Sequence, residues 1–210
     1  MITLEAARSW YPEYDAVHGF DHIERVYRTC EKIGLLEGAD MEILLTAALL
    51  HDASGSHPGE GSRKDHHLQS AKFAAEILKK ENWGKEKIDA VQHCIRAHRF
   101  RKNESPQSIE AKILFDADKL DVIGAIGVVR ALAYAFQVKE PAYAAPSTEF
   151  FETGEKNIGE PHSAYHEYIF KLKNIGLTLN TKTAKNIAKY RQEFLNDFFE
   201  ELADEMENIK

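Results

Sequence analysis

Apolar residues recur in this chain at intervals of three and four positions, and this helical period restricts the fold more than any other feature. Between residues 23 and 33 that spacing places the apolar side chains on one face of a helix. The same spacing recurs over 66–80, over 85–98 and from Thr181 onward. No long stretch alternates at period two, so we expect no β-sheet. The sequence therefore predicts an all-α fold.

Acidic residues predict where the first helices begin. Asp21 followed by Glu24 has the spacing of a capping box, and Asp40 is placed to cap the next helix. The end of that next helix is almost entirely apolar over residues 44–50. Because a helix without a polar face is usually central in a fold, we expect this helix to lie in the core.

One long apolar segment, residues 111–136, is expected to be helical although it contains Gly124 and Gly127, which would let a neighbour approach closely. Polar or Pro/Gly-rich segments are expected to be loops, and they are 54–65, 99–107 and 137–162. No change in composition marks a boundary. We therefore expect a single helical domain over residues 1–210, with its core over about 15–206 and a long irregular loop around 137–162.

The charge and the cysteine content exclude several classes of protein. The chain has 27 Lys and Arg against 34 Asp and Glu, a net charge of −7. This charge disfavours binding to duplex nucleic acid. Cys30 and Cys94 are the two cysteines, too few for a disulfide framework, and no CxxC motif is present for a zinc knuckle. We expect a reduced, cytoplasmic protein with no leader and no membrane partner, and the sequence leaves the oligomeric state open.

His51 and Asp52 end the most apolar helix, and burying both side chains costs free energy unless a partner such as a cation satisfies them. Adjacent helical residues point about 100° apart, so both can reach one ion only where the helix ends. His22 lies upstream, at the first turn of its predicted helix. Three carboxylates follow in one apolar segment, at Asp116, Asp118 and Asp121. One of them could complete a site of two nitrogens and two oxygens.

The strings around these residues resemble the HD-domain metal-dependent phosphohydrolase superfamily, and in particular a subgroup of small, stand-alone bacterial enzymes. They are HIERV from His22, LLHD ending at Asp52, and DADKLDVIGAIG from Asp116. NTKTAK from Asn180 and the long final helix also resemble that subgroup. Position by position, the resemblance implies four metal ligands, which are His22, His51, Asp52 and Asp118. The family's last aspartate precedes a basic residue and a leucine, which selects Asp118.

Two further histidines match positions at which some members of the superfamily bind a second ion. His66 begins the string HHLQSA, and His98 lies at the end of the following helix. Each is a candidate for a second metal or for contact with substrate phosphate. Ligation by His and Asp without thiolate suits Mn²⁺, Fe²⁺, Co²⁺, Ni²⁺ or Mg²⁺ better than structural zinc, and we favour Mn²⁺.

An acidic protein that acts on a polyanion needs basic groups near its site. The candidate substrate- and phosphate-binding residues are Arg25, Arg63, Lys64, Arg99, His166 and Lys171. Lys119, next to Asp118, is a candidate catalytic cation. Asp65 and Asp121 are both candidates for the general base, and Asp52 is a candidate catalytic residue as well as a ligand.

The resemblance implies hydrolysis of a phosphoester or phosphoanhydride by a metal-bound water, with a nucleotide as substrate. One form of that reaction converts a nucleoside triphosphate to the monophosphate and pyrophosphate. Two alternatives stay open. The first is a nucleotide phosphatase or phosphodiesterase, which includes alarmone hydrolysis. The second is a non-catalytic, metal-stabilised helical module that senses a nucleotide.

Overall fold

A computed structural model describes residues 2–11, 19–54, 65–99 and 104–207. Within these ranges the regular structure is entirely helical and contains no β-strand, so the all-α prediction is confirmed. The α-helices are α1 Leu4–Arg8, α2 Phe20–Glu37, α3 Met41–Leu50, α4 His66–Lys80, α5 Lys85–Ala97, α6 Ile109–Leu120, α7 Gly124–Gln137, α8 Thr148–Thr153, α9 Ala164–Phe170 and α10 Lys182–Met206. A 3-10 helix, Leu172–Thr178, lies between α9 and α10.

The chain forms two compact units. Unit 1 comprises residues 1–118 and 179–184, and unit 2 comprises 119–178 and 185–210. In unit 1, α3 occupies the centre, because every residue of it from Leu44 onward is buried and it packs against α2, α4 and α5. The expected core position of this apolar helix is therefore confirmed. The assignment of the whole chain to one domain stays a prediction.

Helix starts follow local capping rules, with one departure from the sequence prediction. The Asp40 side chain accepts hydrogen bonds from two backbone amides in the first turn of α3, as predicted. Helix α2 instead begins after Gly19, which has no side chain to offer, and Asp21 lies inside its first turn. The predicted capping box at Asp21 is therefore wrong. Its carboxylate bonds Arg25 one turn further on, at 2.5 Å.

The apolar segment 111–136 forms two helices rather than one, because a three-residue break separates α6 from α7. Gly124 adopts a φ of +74°, in the left-handed region that favours glycine. A Cβ atom on Gly127 would come within 2.4 Å of the Val122 carbonyl oxygen. Arg191 of α10 packs close to Gly124. The expectation of close approach is confirmed, whereas the expectation of helix throughout the segment is wrong at the break.

The remaining predictions concern loops and membrane segments. Residues 138–163 are irregular except for the short helix α8. The predicted loop over 54–65 falls largely outside the described residues, and the described part of the predicted loop over 99–107 contains no helix. Among the helices that the structure describes, none by itself has both the length and the apolar composition to cross a membrane. Helices α6 and α7 meet that test only together, as a bent pair.

Candidate metal centre

The end of α3 presents His51 and Asp52 to the interior of unit 1. Helix α3 ends at Leu50, His51 is its C-cap residue, and the chain turns at Asp52. His51 is 0% exposed and Asp52 is 7% exposed. Both side chains can face one region because the chain turns at this helix end, as the sequence predicts.

A first cluster joins His22, His51 and Asp118, which come from α2, the end of α3 and α6. One candidate ligand atom of each lies within 4.8 Å of the others. The distance from His22 Nε2 to Asp118 Oδ1 is 3.5 Å. The rings of His22 and His51 lie 5.5 Å apart, centre to centre, at an angle of 70°. Both histidines are buried, whereas Asp118 is partly exposed.

A second cluster joins Asp52, His66 and His98, whose candidate ligand atoms also lie within 4.8 Å of one another. Asp52 Oδ1 is 3.3 Å from His66 Nε2 and 3.6 Å from His98 Nε2. Asp52 Oδ2 is 3.9 Å from His51 Nε2, so the two clusters adjoin at the end of α3. The structure thus brings all six candidate ligands together, but it groups Asp52 with His66 and His98 rather than with the first cluster.

Backbone carbonyls determine which imidazole nitrogens face the clusters. His51 Nδ1–H donates to the Ala48 carbonyl at 2.8 Å, and His98 Nδ1–H donates to the Ile95 carbonyl at 2.6 Å. Because a carbonyl only accepts, each bond places a proton on Nδ1, so that in the neutral ring Nε2 carries the lone pair. The Nε2 of His51 is buried and has no hydrogen-bond partner in the described structure. Such an atom is costly unless a cation binds it.

Burial and neighbouring charges favour the protonation states that bind a cation. Burial acts to raise the pKa of the Asp52 carboxyl, but the nearby imidazoles, above all those of His51 and His98, outweigh it and hold the pKa well below its usual range. Burial lowers the pKa of His98 to about 3. At neutral pH Asp52 is therefore an anion and His98 is a neutral imidazole. Together with the orphaned Nε2 of His51, this donor set of nitrogen and oxygen without thiolate fits a divalent cation.

The other candidate residues of unit 1 differ in their partners and exposure. Arg25 is bonded to Asp21, as described above. Arg99 directly follows His98. Burial, followed by the charges of His66 and Arg99, lowers the pKa of His67. Asp65 is exposed and immediately precedes α4. Two further candidates, Arg63 and Lys64, lie outside the described residues.

In unit 2, the buried residues Lys119 and Asp121 lie at the end of α6 and just after it. Asp121 Oδ2 accepts a hydrogen bond from Arg130 at 2.6 Å. Such a bond between a guanidinium and a carboxylate is charge-assisted.

His166 and Lys171 also lie in unit 2, and both are engaged. His166 is fully buried, with Nδ1 2.7 Å from Ser163 Oγ and Nε2 3.0 Å from Glu160 Oε1. Lys171 donates to Glu167 at 2.8 Å. Contact of either side chain with a substrate phosphate would require these bonds to break.

Sequence reasoning missed the partners of two residues in unit 1. Asp116 is buried and accepts hydrogen bonds from the backbones and side chains of Asn180 and Thr181. Tyr11 is buried, and its hydroxyl donates to the Leu49 carbonyl at 2.8 Å. Burial, and then the charge of Asp52, raises the pKa of Tyr11 well above its usual value, so it stays a phenol. Neither contact has a local signal in the sequence.

Comparison with known families is consistent with this centre. Residues 19–123 match the sequence model of the HD domain, a range that contains both clusters. The chain belongs to the HD-domain family. YpgQ of Bacillus subtilis, an uncharacterized protein, is 30% identical to it over 213 residues, covering 98% of this chain and 94% of YpgQ.

Solved structures of related proteins share the fold. The structure of B. subtilis YpgQ in complex with ADP has a TM-score of 0.73 at 29% identity and covers 99% of this chain and 100% of that one. A Lactobacillus plantarum protein has a TM-score of 0.76 at 26% identity, with coverage of 99% and 100%. An HD-superfamily hydrolase from Bacillus thuringiensis has a TM-score of 0.65 at 26% identity, with coverage of 90% and 86%. The chain is therefore an HD-superfamily, metal-dependent hydrolase.

Proposed function

We propose that this HD-domain chain is a phosphohydrolase that cleaves a phosphoester or phosphoanhydride bond of a nucleotide. The observation that carries the proposal is the pair of adjoining His/Asp clusters at the end of α3, where the buried Nε2 of His51 has no hydrogen-bond partner. The complex of YpgQ with ADP supports a nucleotide as the ligand class. We further propose the conversion of a nucleoside triphosphate to the monophosphate and pyrophosphate as the reaction.

The clusters define which residues would hold metal. The first cluster, His22, His51 and Asp118, with Asp52 adjoining it, would bind one divalent cation, for which we favour Mn²⁺. The second cluster, in which Asp52 joins His66 and His98, would bind a second cation or a phosphate oxygen. A divalent cation supplies Lewis acidity, which offsets charge on the phosphoryl group and lowers the pKa of water.

The protein's own residues would orient the substrate and accept a proton. Of the two candidate bases we favour Asp65, because it is exposed and directly precedes His66, whereas Asp121 is paired with Arg130. The substrate-binding roles of Arg25, Arg99, His166 and Lys171 and the catalytic role of Lys119 stay proposals. The same roles for Arg63 and Lys64 stay predictions from the sequence.

The test compares the purified parent with Asp52→Ala, and with Asp89→Ala as a control that removes an exposed carboxylate on α5. Elemental analysis measures bound metal. A nucleotide panel with Mn²⁺ then measures turnover and identifies products. We expect metal and turnover in the parent and in the control, loss of both in Asp52→Ala, and release of pyrophosphate.

Each other outcome points to a specific alternative. Release of orthophosphate contradicts the pyrophosphate reaction and supports a nucleotide phosphatase. Cleavage of a diester or of an alarmone supports those activities instead. Metal without turnover on any phosphate ester supports a nucleotide-sensing module. Absence of metal, with no difference between parent and Asp52→Ala, contradicts the metal centre itself.

A further inference from the structure

The end of α3 carries backbone carbonyls that its own helix leaves without an amide partner, as every helix end does. The Ala48 carbonyl accepts from His51 Nδ1–H. The Leu49 carbonyl accepts from the Tyr11 hydroxyl at 2.8 Å. The Leu50 carbonyl accepts from the backbone amide three residues further on, at 3.3 Å. Two of these three partners are side chains, and one is a candidate metal ligand.

Tyr11 reaches this helix end from the segment after α1, 38 residues earlier in the sequence. Its ring lies 5.6 Å from that of Phe20, centre to centre, and only 7% of the residue is exposed. The hydroxyl donates to the Leu49 carbonyl, three residues before Asp52. It therefore occupies the carbonyl that would accept from the Asp52 amide if the chain closed a tighter turn here.

We propose that Tyr11 is a positioning residue of the metal centre, whose hydroxyl holds the turn from Leu49 to Asp52 so that His51 and Asp52 face adjoining clusters. The proposal rests on the proposed function, because it assumes that the clusters bind metal. Tyr11 is not a member of either cluster and acts through the backbone carbonyl of Leu49.

The turn controls both clusters because it carries one ligand of each. His51 belongs to the first cluster and Asp52 to the second, and their facing atoms are 3.9 Å apart. Successive helical residues point about 100° apart. A rotation of the Asp52 backbone by only part of that angle would move its carboxylate away from His66 and His98. Groups that orient metal ligands typically change metal affinity by about 10–100-fold when they are removed.

The experiment measures Mn²⁺ binding to the full chain after chelation, by electron paramagnetic resonance of the free ion. Tyr11→Phe removes the hydroxyl and keeps the ring. Tyr168→Phe is the matched control, because Tyr168 is also buried and its hydroxyl is 3.5 Å from Glu200 in unit 2. We expect Tyr11→Phe to weaken Mn²⁺ binding by about tenfold or more, and Tyr168→Phe to leave it unchanged. Placing 4-aminophenylalanine at position 11 should restore most of the affinity, since its amine again donates to Leu49.

Equal Mn²⁺ affinity in the parent and a folded Tyr11→Phe protein would overturn the positioning role while leaving the proposed function intact. A parent that binds no Mn²⁺ would instead contradict the metal centre. If Tyr11→Phe does not fold, 4-methylphenylalanine at position 11 takes its place, because its methyl group fills the volume of the hydroxyl and cannot donate to the Leu49 carbonyl. Weaker Mn²⁺ binding by that protein supports the positioning role, and unchanged affinity overturns it.

Discussion

At the residue scale, the Asp116 carboxylate ties α6 to the segment that precedes α10 within unit 1. Its Oδ1 accepts two hydrogen bonds from Asn180 at 2.8 and 3.0 Å, and its Oδ2 accepts two from Thr181, both at 2.7 Å. Asp116→Asn keeps the shape but offers only one accepting atom. We therefore expect it to lower the free energy of unfolding by about 2–4 kcal/mol, measured by urea denaturation, because two of the four donors lose their acceptor.

Asp40→Asn is the control for that substitution. Asp40 caps α3 by accepting hydrogen bonds from backbone amides. Asparagine caps a helix about as well as aspartate, so we expect a change of less than about 0.5 kcal/mol. A loss for Asp116→Asn no greater than that of the control would mean that the four bonds contribute little to stability.

Glu160 in unit 2 gives a prediction about pH. Hydrogen bonds with Ser147, followed by those from His166 and Asn157, lower the pKa of Glu160 to about 2. A carboxyl whose folded pKa is depressed stabilises the fold above its unfolded pKa, about 4.3, and loses that contribution as pH falls toward the folded value. We expect the stability difference between the parent and Glu160→Gln to shrink from pH 6 to pH 3, measured by urea denaturation.

Glu152→Gln, an exposed substitution on α8, is the control for Glu160→Gln. Its free energy of unfolding should differ from that of the parent by a constant amount over the same pH range. A parent and a Glu160→Gln protein that differ by a constant amount at every pH would contradict the argument from the Glu160 carboxyl.

The resemblance of the local strings to the HD superfamily predicted which candidate ligands meet, and His51, His66 and His98 lie at helix ends. The sequence could not predict that they divide into two clusters, since this depends on the direction of adjacent side chains in one turn. Tyr11 and Asp116 lie 38 and 64 residues from their partners, and contacts at such separations leave no periodic signal.

At the scale of elements, the break between α6 and α7 depends on glycine. A Cβ atom on Gly127 would meet the carbonyl carbon and oxygen of Val122 at 2.5 and 2.4 Å, and backbone atoms cannot move aside as a flexible side chain can. We expect Gly127→Ala to destabilise the protein by about 1–3 kcal/mol in denaturant unfolding, although alanine is normally the better helix former.

Gly176→Ala, in the 3-10 helix of the same unit, is the control for Gly127→Ala. Its nearest neighbour would be Gln192 Oε1 at 3.5 Å, an ordinary contact, so we expect a change within about 0.5 kcal/mol. Equal effects of the two substitutions would contradict the steric argument. The sequence missed this break because Val122 and Ile123 continue the apolar segment, and the backbone conformation distinguishes the two helices.

At the scale of the whole molecule, each of the two units is built from two separate stretches of the chain. The boundary between units falls inside α6, after residue 118, and inside α10, after residue 184. Helix formation is cooperative along the chain, so unfolding one unit alone would have to interrupt both helices. We therefore propose that the chain unfolds as the single domain that its even composition predicts.

Calorimetry of the metal-free and Mn²⁺-loaded protein tests that proposal together with the metal centre. A ligand that binds only the folded state at 100 times its Kd adds about 2.7 kcal/mol of stability, which for a chain of this size raises the Tm by about 5–10 °C. All candidate ligands lie in unit 1. If the chain unfolds as one domain, we expect one transition that shifts upward as a whole, and no shift in Asp52→Ala. Two transitions, of which Mn²⁺ moves one, would show that the units unfold separately, because only the unit that binds the ion gains stability from it.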